Sequence, residues 1–286
     1  MNEPEVFSFV TADNIELKAN LHRTPANRKN VTIIYLHGGG LLYGVRDDLP
    51  KLYINKFLHS GYDFLALDYP LAPESKLNQI LSSIFDMLTY YIKNTESAFQ
   101  LKNTNYVLFG RSAGAYLAFM LCNQLIHNKA LLPAAIISLY GYTKLTEIQF
   151  NTPSKHYNKL PGVPEESIQK LIAASPVTYG PIDSRFSLYI KARQDGTWTN
   201  YLCSPEDPAT YSLADETLRS FPPTILAAST LDPDVPFKMS KALLKFIPDS
   251  HLITLYKEVH DFDRDVNDES GRLTYDEIIE WLDDRI

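Results

Sequence analysis

Asn105-Tyr106-Val107-Leu108-Phe109-Gly110-Arg111-Ser112-Ala113-Gly114 is the stretch on which the reading of this chain turns. Residues 105–109 are mostly apolar and aromatic and read as a buried strand. Residues 113–126 are helix-prone and apolar. Between them stands Gly-x-Ser-x-Gly, with Ser112 at the turn. The glycines permit a sharp turn that a Cβ would obstruct. Such a turn projects the hydroxyl off the sheet edge. The helix N-terminus behind it offers a backbone N–H and a favourable dipole to developing negative charge. Five residues alone also fit a serine N-cap after a tight turn. The strand before and the helix after favour a nucleophile elbow.

The flanking chain repeats this alternation. Short strands are expected over 6–10 and 15–21, around the turn Asp13-Asn14. Residues 31–36 are β-branched and apolar, as in a strand buried on both faces. Further strands are expected over 62–68, 134–140, 224–228 and 252–256. Residues 77–92 carry apolar side chains at helical spacing, and 274–283 read as a last helix. Alternating strands and helices imply an α/β fold with a mostly parallel central sheet flanked by helices. One segment breaks the pattern. Residues 141–221 are rich in proline and aromatics. A structureless loop of that length would be implausible. It is expected to be an inserted cap region with its own short helices, for example over 164–174, where Pro164 precedes two glutamates. The core is then 1–140 and 222–286.

A second motif, His37-Gly38-Gly39-Gly40, follows the strand expected at 31–36. Consecutive glycines let backbone amides approach an oxyanion without obstruction. A phosphate loop would want Lys-Ser/Thr at its end, and Leu41-Leu42-Tyr43 does not supply it. His37 is read as structural, shaping the loop by hydrogen bonding.

A serine hydroxyl needs a base. With the chain order Ser, acid, His, only His251 and His260 come late enough. His260 lies just past the strand ending near Tyr256, at the edge where a base belongs. His251 precedes that strand, at the opposite edge. The acid orients the imidazole and stabilises its cation. Asp232, after the strand at 224–228, is the first choice. Asp234 is the second, with a competing reading as an N-cap before Pro236.

The composition of the 286 residues is ordinary for a globular chain, with 45% hydrophobic and 21% charged residues. A net charge of −7 and the lack of a Lys/Arg cluster argue against nucleic acid or an anionic membrane as partner. No stretch reads as a signal peptide or is long and apolar enough to span a bilayer. Cys122 and Cys203 have no metal-ligand spacing and read as reduced thiols, so a cytoplasmic protein is expected. Asp261, Asp263, Asp265 and Asn267 alternate like a calcium loop, but Val266 and Arg272 occupy the places of its glycine and closing glutamate. A solvated acidic loop is expected there.

Taken together, residues 37–40, Asp68-Tyr-Pro-Leu-Ala-Pro-Glu74, residues 110–114, Asp232-Pro233 and His260-Asp-Phe262 resemble the hormone-sensitive-lipase-like branch of the α/β-hydrolases, its carboxylesterases and lipases. The match spans nearly the whole chain in the right order. The resemblance implies a Ser112–Asp232–His260 triad and an oxyanion hole made by the amides of Gly39, Gly40 and Ala113. It implies hydrolysis of a small-molecule ester of short or medium chain, with no cofactor or metal. A peptidase or amidase would share these residues, a surface-active lipase is a further alternative, and a binding protein on this fold would typically lack one of the three. A homodimer is left open. Three departures stand out. Arg111 replaces the aspartate usual before the nucleophile, Pro70 replaces a usual arginine, and the first strand begins where the family often has a helical cap. Arg111 is expected to pair with an acid such as Glu74. Tyr142, Tyr157, Tyr179, Tyr189, Tyr201 and Trp198 of the 141–221 segment are expected to wall an acyl pocket or to pack that segment's own core.

Overall fold

The computed structural model describes residues 3–102 and 104–286. Eight strands form one sheet: β1 (Glu5–Val10), β2 (Glu16–His22), β3 (Thr32–Leu36), β4 (Asp63–Leu67), β5 (Tyr106–Arg111), β6 (Ala135–Leu139), β7 (Thr224–Ser229) and β8 (Ser250–Leu255). Their order across the sheet is β1-β2-β4-β3-β5-β6-β7-β8. β2 pairs antiparallel with both β1 and β4, and the pairs from β4 to β8 are parallel.

The helices are α1 (Lys51–His59), α2 (Leu77–Asn94), α3 (Ala113–His127), α4 (Glu165–Gln169), α5 (Ile182–Asp195), α6 (Trp198–Leu202), α7 (Phe237–Leu243) and α8 (Glu269–Asp283). The sheet's side chains alternate between two cores. Ile34, Leu36, Leu65, Leu67 and Leu108 pack with α2 and α3. Ile33, Tyr35, Phe64, Val107 and Phe109 pack with α1 and α8. With both faces covered, every residue of β3, β4, β5, β6 and β7 is buried. That is why these strands read as continuous apolar runs.

The topology positions the site. From β3 the chain passes to β4 on one side, then crosses to β5 on the other. Loops leaving β3 and β5 therefore part around a switch point, where α/β sheets place ligands. Leu36 lies level with both Leu67 and Gly110, so the two glycine-bearing turns emerge side by side.

All eight expected strands and the three expected core helices are present. In the 141–221 segment the helix starting after Pro164 is only Glu165–Gln169, shorter than 164–174. The long helix there is α5, which no apolar stripe announces because its buried face includes Arg185 and Arg193. α1 was also not anticipated from the sequence.

Candidate active site

Ser112 sits between β5 and α3 with φ 51° and ψ −116°, a sparsely populated conformation for a residue with a Cβ. Its neighbours make the turn feasible. A Cβ on Gly110 would run into the Gly114 backbone, and one on Gly114 into the Leu36 carbonyl. The main chain at Ser112 is tied down by its N–H donating to the Leu139 carbonyl at 2.9 Å.

His260 follows β8, and its Nε2 lies 2.9 Å from Ser112 Oγ. Its Nδ1 lies 2.6 Å from Asp232 Oδ2. The carboxylate can only accept, so Nδ1 carries a proton, and in the neutral ring Nε2 presents a lone pair to the serine hydroxyl. Asp232 Oδ1 accepts the amides of Asp234 at 2.8 Å and Val235 at 2.9 Å, which fixes the carboxylate. Burial pulls the imidazole pKa down. The charge and hydrogen bond of Asp232, with the charges of Asp234 and Asp261, outweigh it and push the pKa up to about 9. His251 is elsewhere, on β8, hydrogen-bonded to Glu277.

The amides of Gly39, Gly40 and Ala113 donate to no acceptor among the described residues. Their aim follows from peptide planarity, since each N–H points opposite to the preceding carbonyl. The Gly38 carbonyl lies 2.7 Å from His37 Nδ1 and accepts the Tyr69 hydroxyl at 3.3 Å. The Gly39 carbonyl accepts the amides of Leu42 and Tyr43 at 3.0 and 3.1 Å. The Gly39 and Gly40 N–H groups are thereby turned the other way. His37 is fully buried and stacked on Tyr69 at 4.1 Å, the structural role expected of it. Gly40, at φ 58°, packs so closely under Tyr189 that a Cβ would enter the ring.

The 141–221 segment closes over this loop. Trp198 Nε1 donates to the Gly40 carbonyl at 2.8 Å. Gly44 and Gly180 exchange two backbone hydrogen bonds. A cavity of about 340 Å³ lies above Ser112, bounded by the glycine loop, His260, Tyr43, Ile182 and Tyr189. Of the segment's aromatics Tyr189 borders it. Trp198, Tyr142 and Tyr157 are buried, and Tyr179 is exposed.

The expected Arg111–Glu74 pair is not formed. Arg111 lies at the cavity wall, mostly buried, 3.0 Å from Asp263 and 3.3 Å from Asp48. Its Nε donates to the Tyr140 hydroxyl at 2.7 Å. Glu74 is taken instead by Arg185, at 2.7 and 2.9 Å. The reading of 261–267 as a solvated loop also needs correction. Asp263 is fully buried, accepting from Arg111, Tyr140 and Tyr275, while Asp265 is exposed. The alternation of aspartates does not mark which one turns inward, because the partner cation, Arg111, lies 152 residues away in sequence. Asp234 caps no helix. It accepts the hydroxyls of Tyr157 and Tyr189 and pairs with Arg193 at 3.0 Å.

Among the described residues no helix is long and apolar enough to cross a membrane. A solved structure of an alpha/beta hydrolase superfamily protein from Enterococcus faecalis is 31% identical, covers 98% of each chain, and superimposes with a TM-score of 0.83. A protein of unknown function from Staphylococcus aureus subsp. aureus Mu50 is 28% identical over 98% of this chain and 99% of its own, with a TM-score of 0.88. An ethyl acetate hydrolase from Pseudomonas putida is 28% identical over 149 residues, 50% of this chain and 46% of that enzyme. The chain spans between 7% and 56% of the length of five curated relatives it matches. Residues 33–263 match the family model described as alpha/beta hydrolase fold. The stretch matched runs from β3 through the loop carrying His260, and on it this chain belongs to the alpha/beta hydrolase fold family.

Proposed function

We propose that this protein is a serine hydrolase of carboxylic esters, acting through an acyl-enzyme on Ser112. The observation that carries this is the pair of hydrogen bonds from Ser112 Oγ through His260 to Asp232, 2.9 and 2.6 Å long. It opens on a cavity bordered by Gly39 and Gly40, whose amides, like that of Ala113 next to Ser112, donate to no acceptor among the described residues. His260 Nε2 takes the hydroxyl proton as Oγ attacks the ester carbonyl. Gly39, Gly40 and Ala113 donate to the oxyanion, where each donor is worth about 100-fold or more in rate. The imidazolium then protonates the leaving alcohol. Water, deprotonated by His260, releases the acid and restores Ser112. Asp232 holds the imidazole with Nε2 free to act.

The 141–221 segment is the cap of this site. Tyr189 and Ile182 leave a cavity of about 340 Å³, which suits a short- to medium-chain ester. The hydrolase from Pseudomonas putida that this chain is similar to is an ethyl acetate hydrolase, in keeping with a small acyl group. Purified protein is expected to hydrolyse p-nitrophenyl acetate and butyrate and to be labelled by a fluorophosphonate probe. Both properties should vanish in Ser112→Ala. Wild-type protein that takes up no probe would overturn the reading. Faster cleavage of an aminoacyl amide than of its matched ester would assign it to peptidase chemistry.

A further inference from the structure

The cavity above Ser112 is not the apolar slot that a plain alkyl ester would select. Asp48, Arg111, Asp234, Asp261 and Arg264 all border it. Two of the five are engaged at the rim, where Arg264 pairs with Asp261 in an exposed contact of 3.3 Å. Asp234 is committed to Arg193 and two tyrosine hydroxyls. Asp48 and Arg111 are different. The Asp48 side chain is 28% exposed on the cavity wall, against 7% for Arg111. Asp48 accepts the Tyr35 hydroxyl on Oδ1 at 2.5 Å and Arg111 Nη1 on Oδ2 at 3.3 Å. Each carboxylate oxygen retains a free lone pair. Arg111 makes four hydrogen bonds, to Tyr140, Tyr35, Asp48 and Asp263. A guanidinium has five N–H donors, so the one left without an acceptor among the described residues is on Nη2, the nitrogen that binds Asp263.

We infer that Asp48 and Arg111 form a polar subsite for a hydroxyl-bearing part of the substrate, so that this site prefers esters of polyols or sugars to plain alkyl esters. This rests on the esterase reading and adds the substrate class to it. The charges decide between ligand chemistries. Three carboxylates against two guanidiniums border the cavity, a net negative lining that disfavours an anionic group. An ammonium brought to Asp48 would lie beside the Arg111 guanidinium, itself 3.3 Å from that carboxylate, and be repelled. A hydroxyl meets neither objection. It donates to a free lone pair of Asp48, and its own oxygen is favoured by the positive field of the Arg111 guanidinium beside that carboxylate. Hydrogen bonds of a neutral group to charged partners discriminate by roughly ten- to a hundredfold against a substrate that lacks it.

Glycerol monoacetate and propyl acetate share the acyl group and the three-carbon alcohol and differ by two hydroxyls. Wild-type kcat/KM is expected to favour the glycerol ester by roughly tenfold or more. In Asp48→Ala the ratio should fall to near one, and in Asp48→Asn, which keeps an acceptor oxygen without the charge, to an intermediate value. Both rates are read on one preparation, so the ratio does not depend on how much of a variant is folded. A wild-type ratio near one, with p-nitrophenyl acetate still cleaved in a Ser112-dependent way, overturns the subsite and leaves the esterase reading standing. So does a preference that survives Asp48→Ala. A preference for acetylcholine that Asp48→Ala abolishes overturns the hydroxyl assignment in favour of a cation. No hydrolysis of any of these esters overturns the esterase reading and the subsite with it.

Discussion

In the central sheet, β3 through β7 are buried at every position, and apolar side chains fill both faces. In the 141–221 segment the longest helix, α5, buries two arginines beside Leu188 and Tyr189. Arg185 donates to the carbonyls of Leu42 and Ala72 at 2.8 and 3.0 Å as well as to Glu74. Arg193 reaches Asp234 and lies 5.4 to 5.9 Å from the rings of Phe150, Tyr157 and Tyr189. The sheet is driven together by burial that has no preferred direction. The segment is held on the site by directional bonds between charges that fit in one pose only. Because the partners of those arginines include Leu42, just past the glycine loop, and Asp234, just past Asp232, placement of the segment and shape of the site are coupled.

The sharpest way to separate the two regions is to remove chemistry from the core without touching packing. Ser112→Ala should lower kcat by on the order of 10⁴-fold or more. Its unfolding free energy in urea should move by less than about 1 kcal/mol. Arg185→Ala tests the opposite case. It strands Glu74, whose side chain is 1% exposed, as a buried carboxylate. Loss of about 3–5 kcal/mol in urea unfolding is expected, and Glu74→Gln added to it should recover part of that. If Arg185→Ala unfolds like wild type, the segment is held by apolar packing after all and the contrast fails.

Gly40→Ala probes the seam between the regions. The added methyl enters the Tyr189 ring and strains a backbone at φ 58°. A fall in kcat of roughly a hundredfold, with fluorophosphonate labelling slowed alongside it, is expected from a displaced oxyanion donor. The pH profile reads the acidic residues around His260. Only neutral imidazole can take the serine proton, and the group is protonated below its pKa of about 9. The rate constant kcat/KM should therefore climb about tenfold per pH unit on the acid side and level off near that value. Asp261→Asn removes one of the charges that raise the pKa and should move this limb to lower pH. The smallest effect belongs to Ile148→Ser. Its side chain is 70% exposed, so stability should change by no more than about 0.5 kcal/mol.

Much of the fold was legible because it rests on local pattern. The runs at 31–36 and 105–109 are apolar throughout, and Gly110 and Gly114 stand where a tight turn needs them. The candidate site was legible to the same depth. Strand ends in a parallel sheet point one way, so Ser112, Asp232 and His260, each just past a strand, had to emerge at one edge. α5 was not legible, since a helix that buries arginines shows no apolar stripe. Arg111 was assigned an acid partner correctly in kind and wrongly in place. The acid is 152 residues away at Asp263, with Asp48 beside it.

The sequence by itself determined the alternating strands and helices, the elbow at Ser112 and the glycine loop at 37–40, because periodicity and the absence of a Cβ act over a few residues. Only the tertiary structure decided which arginine meets which carboxylate, how the 141–221 segment sits on the glycine loop, and that Asp48 and Arg111 face the cavity beside Ser112. Those choices depend on distances between segments far apart in the chain, and a long-range ion pair leaves no mark on the spacing of residues along it.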